Sequence, residues 1–350
     1  MEGAIMTISR RTFLSATSLT TMGAALAACS SDTKDNGSAN SSGDKVTYLT
    51  SFGNLGRDAY IHAAVHKNYF EEAGIEVDVQ YGQAGDYNHN QLLAGRAQFA
   101  SIDAAGAIIR AGKAKKPADR DLRIVGVVHQ LTLNSLATFA DKGFTSPREL
   151  AGKTLGAVVG AAPRALFPAF AKLAGLDEKT IKWTDATTQN SGSLLATNRV
   201  EGLVTQLPTK PGLEKLARGR EVRMFPYSEY LSDLYGITIM THKNVIEKDP
   251  DLVRRFNQAI MRGVRYGVNN PEEIGKVLHQ VDNTVDADLA AKELAILKPN
   301  SLPGGGAPVG TFDETRMAKN IVLLRDLDLI PTGLTPADIA DAGFLPKSDT

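Results

Sequence analysis

The sequence predicts an α/β protein with parallel strands, and three stretches carry that prediction. In the first, residues 46–50 (VTYLT) form a short β-branched and aromatic run, and residues 51–56 form a loop containing Gly and Asn. From Arg57 the apolar residues Ile61, Ala64, Val65 and Tyr69 recur at helical spacing. Gly74 closes that helix, and residues 75–81 alternate Ile, Val, Val and Tyr with Glu, Asp and Gln as a second strand. A crossover of this length makes the two strands parallel. In the second stretch the pattern returns: a strand at 154–159, a turn at 160–164, and a helix through Leu166, Phe167, Phe170, Ala171 and Leu173. In the third, residues 235–241 (YGITIMT) alternate late in the chain, where a strand returning to the first domain is expected. Ligands of open α/β sheets sit outside the carboxyl ends of the strands, which places residues 51–56 and 82–86 at the mouth of a site.

Composition narrows the function. The 350 residues carry 39 Lys and Arg against 39 Asp and Glu, enough chain for two domains and no electrostatic case for nucleic acid. After residue 30 no apolar run reaches the length of a membrane span. The single cysteine, Cys29, excludes a disulfide framework or a cysteine metal site within one chain.

The N-terminus explains that cysteine. Residues 9–14 (SRRTFL) resemble a twin-arginine export signal, and a weakly apolar Ala-, Thr- and Gly-rich stretch follows. Leu26, Ala27, Ala28 and Cys29 then resemble the bacterial lipoprotein processing box, which implies a lipid on the Cys29 thiol. Residues 30–44 are Ser, Asn, Asp and Gly with no apolar residue beyond Ala, the composition of a flexible tether. A cytosolic helix with a chance Arg pair is the alternative, and three features in the right order oppose it.

The remaining elements follow in order. A short helix is expected at 86–95, a strand at 96–103, a helix at 104–113, a charged loop at 113–120, and strands at 122–130 and 135–140. Ser146, Pro147 and Glu149 have the spacing of a capped helix start. Strands are expected at 181–185, 199–206 and 222–227, with a helix at 190–198. Asp249, Pro250 and Asp251 open a long helix whose stripe includes Val253, Phe256, Ile260 and Val264. Asn270 and Pro271 open another, and helices at 286–297 and 313–327 follow. Gly304, Gly305 and Gly306 read as a surface loop.

Two phrases, AAVHKNYFEEAGIEVDV and PDLVRRFNQAIMRGVRYGVNNPEEI, resemble the solute-binding proteins of the sulfonate, nitrate, taurine and thiamine-pyrimidine importers, the NMT1/THI5-like family. The resemblance spans about residues 46–280. It implies a two-lobed, periplasmic-binding-protein-like (type II) α/β fold with two hinge crossings, near 132–142 and 228–238. One lobe would comprise 45–135 with 236–350, the other 136–235. It further implies a monomeric, non-enzymatic receptor without cofactor, exported and lipid-anchored, whose partner is an ABC permease. The related pyrimidine-precursor synthases of thiamine biosynthesis share the fold and are the enzymatic alternative, but their pattern includes a cysteine-rich segment that this chain lacks. An exported adhesion lipoprotein is a third reading.

Candidate binding residues cluster at predicted turns. In the first domain they are Ser51, Phe52, Asn54, Gly85, Asp86 and Asp103. Phe52 suits stacking on a planar ligand and Asn54 suits hydrogen bonding; inward packing and turn formation are the plain alternatives. Asp86 and Asp103 suit a cationic group or helix capping. In the second domain, Gly160, Ala161 and Arg164 occupy a strand-to-helix turn, either an anion seat or an ordinary turn, with Gln206 at a strand end. Tyr227, Tyr230 and Tyr235 lie where the chain crosses back, suited to a cleft or to hinge packing. His62 and His66 have i, i+4 metal spacing, but only His89 offers a third ligand and partly exposed helix histidines are commoner, so no metal is assigned. No nucleophile motif occurs.

Overall fold

The computed structural model describes residues 43–83, 86–304 and 307–348. The export phrase, Cys29, the tether as far as residue 42, and Gly85, Gly305 and Gly306 lie outside the described residues. Ten strands form two sheets. In chain order they are β1 Asp44–Leu49, β2 Ile75–Gln80, β3 Phe99–Asp103, β4 Leu122–Val127, β5 Asn134–Phe139, β6 Thr154–Val158, β7 Lys182–Ala186, β8 Gly202–Gln206, β9 Val222–Pro226 and β10 Ile237–His242. The first sheet has the order β2-β1-β3-β10-β4 and the second β7-β6-β8-β5-β9. In each sheet three neighbouring strands are parallel, and one strand, β10 or β5, is inserted antiparallel.

Each inserted strand is the first strand after a crossing. β4 ends at the edge of the first sheet and the chain enters the second as β5; β9 ends at an edge of the second and the chain returns as β10. The crossings are therefore residues 128–133 and 227–236. The first lies earlier than the expected 132–142, because residues 134–139 already pair with β8 and β9. The crossings bond to each other: Val128 N–H donates to Ile237 C=O at 2.8 Å, Gly236 N–H to His129 C=O at 2.9 Å and Thr132 N–H to Leu234 C=O at 2.8 Å.

Most elements form where the pattern put them, with three instructive departures. The helix expected from Arg57 breaks into a 3-10 turn Gly56–Asp58, a helix Tyr60–His66 and a short helix Tyr69–Glu72, because Asn68 adopts a left-handed φ of 59°. At Ser146 a 3-10 turn Pro147–Leu150 replaces the capped helix, since the Ser146 hydroxyl donates to the Glu149 carboxylate instead of accepting from the backbone. The helix Lys210–Leu216 has a weak sequence signal, with Pro211 and Gly212 in its first turn.

The first sheet packs on the 20-residue helix Pro250–Asn269, whose first turn is capped by Asp249 accepting from Leu252 N–H at 2.9 Å. Phe256 of that helix stacks on Phe99 with ring centroids 3.9 Å apart and planes 3° from parallel, with Phe70 at 5.2 Å and Tyr48 at 5.9 Å. Asn257, fully buried, donates to the carbonyls of Val125 at 2.7 Å and Phe344 at 2.8 Å, so one residue ties sheet, helix and C-terminal segment together.

Phe256 touches three other buried rings, so Phe256→Ala leaves a cavity that the stacked sheet cannot close. We expect a loss of about 3–5 kcal/mol in unfolding free energy, read from urea denaturation midpoints at constant slope. A loss under about 1 kcal/mol would show that this cluster does not anchor the helix to the sheet.

Candidate functional site

A cavity of about 930 Å³ lies between the two sheets. Its walls are the segments that follow the carboxyl ends of the parallel strands. Ser51 and Phe52 follow β1, Gln83 follows β2, and Asp103 ends β3. Opposite them, Gly160 and Ala161 follow β6, Thr188 follows β7, and Gln206 ends β8. This is where parallel topology leaves strand ends unpaired and open to a ligand.

The wall of the first sheet is tightly tied. Ser51 donates both its N–H and its hydroxyl to the buried Asp58 carboxylate, at 2.8 and 2.6 Å, which fixes the turn after β1. Asn88 donates to the carbonyls of Thr50 at 2.8 Å and Ser101 at 3.1 Å, locking the ends of β1 and β3. Gly82 permits this closeness: a Cβ there would sit 1.9 Å from the Thr50 oxygen. Tyr48, Tyr60 and Ser101 share hydroxyl bonds of 2.6–2.7 Å beneath the floor.

Arg57 reaches across the cavity. Its Nε lies 3.5 Å from the Asp58 carboxylate on its own side, and its Nη1 donates to the side-chain oxygen of Gln206 on the other. The side chain is 12% exposed, so this contact is largely shielded from solvent. Phe52 lies under the guanidinium, 5.6 Å from its ring centre, so Phe52 faces the cavity and an arginine at once.

Burial sets the protonation of the acids nearby. Glu293, from the helix Ala287–Ile296, accepts from Gly56 N–H at 2.9 Å. Burial pushes its carboxyl up to about 7, against the opposing pull of Arg57. Asp103 is raised to about 6 by burial, held back by the backbone N–H groups of Gly106 and Ala105. His89, at the cavity wall, and the hinge residue His129 are driven down to about 4 and about 3 by burial, with a nearby arginine adding to each shift.

The other candidates go elsewhere. Asp86 is at the cavity rim but pairs with Arg110 at 2.6 Å and caps no helix with its side chain. Asp103 caps the helix Ala104–Gly112 through Gly106 N–H at 3.2 Å and also lines the cavity. Asn54 turns away to Asp282 at 3.3 Å. Arg164 does not line the cavity; its guanidinium lies 3.5 Å over Trp183. The helix behind Gly160 is only Ala162–Ala165 and includes Pro163, too short a dipole with too few N–H groups for a strong anion seat. Tyr227 is fully buried, stacked on Phe170 at 4.1 Å, with its hydroxyl donating to the Pro163 carbonyl. Tyr235 is equally buried and its oxygen accepts from Asp313 N–H. Both tyrosines therefore pack the crossing, because the crossing strands offer the largest apolar seats nearby. His62 is buried while His66 pairs outward with Glu273 at 3.2 Å, so the two do not converge.

Several cavity residues escaped the sequence reading. Arg57 stood in plain sight as the first residue after the loop. Thr188 sits in a polar turn, Ser191 opens the short helix after it, and Lys113, Lys115 and Lys116 fall in the expected charged loop. Glu293, which stands behind the wall rather than in its lining, had no signal, since its partner Gly56 is 237 positions away.

Glu293 makes a testable contribution to pH dependence. Its folded-state carboxyl is raised above the ordinary 4.5, so its share of stability is full below about pH 4.5 and is lost as pH rises through about 7. Asp103 acts in the same direction and the buried histidines act oppositely, so the difference between variant and parent is the useful quantity. Glu293→Gln should gain melting temperature relative to the parent progressively from pH 5 to pH 8. A difference that stays flat with pH would place Glu293 in an ordinary aqueous environment.

The comparisons match this architecture. Residues 58–274 match the family model described as NMT1/THI5 like. A formylaminopyrimidine-binding protein of Halalkalibacterium halodurans is 22% identical over 267 residues, 73% of this chain and 78% of that protein. The alkanesulfonate-binding protein SsuA of Xanthomonas axonopodis pv. citri bound to MOPS superposes with TM-score 0.65 at 15% identity, covering 85% of this chain and 98% of that one. The periplasmic nitrate-binding protein NrtA of Synechocystis PCC 6803 gives TM-score 0.65 at 11% identity, covering 88% and 92%. The fold is thus two-lobed, α/β and periplasmic-binding-protein-like, and the match over well more than half of its length makes this chain a member of the NMT1/THI5-like family.

Proposed function

We propose that this chain is the extracytoplasmic solute-binding component of an importer, and that it captures a small organic nitrogen or sulfur nutrient between its lobes. The observation that carries the proposal is the cavity itself: carboxyl ends of parallel strands from both sheets converge on one volume, and Arg57 spans it to Gln206. A ligand that touches both walls stabilises the arrangement in which they meet, so affinity and closure are one equilibrium. The lobes, expected as 45–135 with 236–350 and 136–235, turn about the paired crossings 128–133 and 227–236, with residues 134 and 135 on the side of the second sheet. Relatives named for formylaminopyrimidine, alkanesulfonates and nitrate support this ligand range. Ser51, Phe52, Asp86, Asp103, Gly160 and Gln206 are the proposed contacts drawn from the sequence, with Arg57 added by the geometry.

The receptor reading extends to the rest of the chain. The leader directs export, Cys29 carries the lipid, and the tether, which ends before Asp44 because Asp44 already pairs in β1, links the folded part to the outer face of the cell membrane. Its partner is then an ABC permease, and the chain performs no chemistry on its ligand.

Thermal-shift screening across sulfonates, nitrate, pyrimidines and riboflavin tests the receptor. A true ligand at one hundred times its Kd adds about 2.7 kcal/mol of stability. No shift with any small solute would favour a structural lipoprotein instead. Cys29→Ser should move the protein from the membrane fraction to the soluble one. Retention on membranes would count against the lipid anchor.

A further inference from the structure

The helix Ala104–Gly112 forms one long wall of the cavity. Asp103, Ala105, Gly106, Ile109, Arg110 and Lys113 all line it, which is one continuous face at i, i+3 and i+4 spacing. The cavity therefore runs the length of the helix, about 15 Å from Asp103 to Lys113 at 1.5 Å per residue. Its ends differ in charge. At the inner end, Asp103 makes no ion pair among the described residues, and Arg57 is already engaged by Asp58 and Gln206. At the outer end, Lys113, Lys115 and Lys116 line the mouth and likewise make no ion pair among the described residues. Arg110 there is matched by Asp86, which leaves three lysines facing the one remaining rim carboxylate, Asp119. Between the ends the wall is Ala105, Gly106 and Ile109, and a Cβ added at Gly106 meets nothing within 4 Å, so the space above it is open.

Helix capping accounts for Asp103 accepting from Gly106, and dipole complementarity for lysines beyond the helix C-terminus. Neither accounts for both charges and the apolar strip between them opening onto one cavity. We infer that the solute is bipolar and extended: an N–H-donating head against Asp103, an apolar body along Ala105, Gly106 and Ile109, and an oxyanionic tail, phosphate or carboxylate, at Lys113, Lys115 and Lys116. A small oxyanion such as nitrate or a short sulfonate occupies a small part of this volume and finds an unpaired carboxylate at its deep end. The inference rests on the receptor reading and narrows its ligand class. Burial that holds the Asp103 carboxyl near 6 adds that Asp103 becomes the better acceptor for the head as pH rises through that value.

Isothermal titration of the full-length protein tests it with thiamine monophosphate and flavin mononucleotide as phosphate-tailed probes, and folate as a carboxylate-tailed one. Thiamine and riboflavin serve as tail-less parents, and nitrate, taurine and ethanesulfonate as small oxyanions. At least one tailed probe should bind tenfold or more tightly than a tail-less parent or a small oxyanion, and which tail binds separates phosphate from carboxylate. The triple variant Lys113→Gln, Lys115→Gln, Lys116→Gln should weaken a tailed probe at least tenfold more than its parent and flatten its salt dependence. Asp103→Asn, which keeps a capping side chain, should weaken head-bearing probes about tenfold, and more at pH 8 than at pH 5. Tight binding of a small oxyanion, improved by Asp103→Asn, would overturn the bipolar ligand while leaving the receptor intact. Binding of tail-less parents as tight as tailed probes, or of no tailed probe, would also overturn it. Silence across the whole panel would count against the receptor reading itself.

Discussion

The return of the chain from the second sheet to complete the first is the constraint on which the rest depends. β10, which follows the second crossing, lies antiparallel inside the first sheet between β3 and β4, while the whole second sheet, β5 to β9, lies between the two crossings. The first sheet is completed only when the chain comes back beside β4, the strand from which it left, so both crossings lie side by side. Their mutual hydrogen bonds, from Val128 to Ile237 and from Gly236 to His129, follow from that arrangement. Gly236 is needed for it, because a Cβ there would stand 2.6 Å from the Leu131 oxygen and 2.9 Å from the His129 Cβ. The large rings Tyr227 and Tyr235 then fill the junction.

Holding the sheets at their crossings leaves their strand ends facing each other across a gap. The backbone groups at those ends have no neighbours in the sheet, and the turns after them are polar. The structure meets this need on the first wall with side chains: Asp58 takes both donors of Ser51, Asn88 donates to two carbonyls, and Glu293 takes Gly56 N–H. Each of these polar groups is satisfied locally, which makes the wall rigid. Asp103 and the mouth lysines are charged yet unpaired, and that contrast marks where an incoming molecule does the pairing.

Electrostatics in the gap are set by burial more than by pairing. Glu293 and Asp103 are raised and His89 and His129 lowered for the same reason, loss of water around the charged form. Arg57 is the counterweight, since it opposes the rise of both acids and deepens the fall of His129. One guanidinium thus tempers or adds to shifts that burial sets, and joins the two walls.

The sequence by itself determined the local elements and their order. The alternation at residues 75–81, the glycine stop at Gly74 and the Asp-Pro start at Asp249 are short-range signals, and the strands and helices they mark are present. The two βα units and the returning strand were legible for the same reason, as was the family, whose phrases lie in the first unit and in the consecutive helices Pro250–Asn269 and Pro271–Val281. Tertiary structure decided which side chains face the gap. Tyr227, Tyr235 and Arg164 have the chemistry of binding residues, yet packing around Phe170 and Trp183 and at the 227–236 crossing takes them away from it. Arg57, Glu293 and the lysines after the helix Ala104–Gly112 reach the gap or its lining only because residues far apart in the chain meet there. A side chain's direction depends on every surface that competes for it, and those surfaces do not exist until the chain has folded.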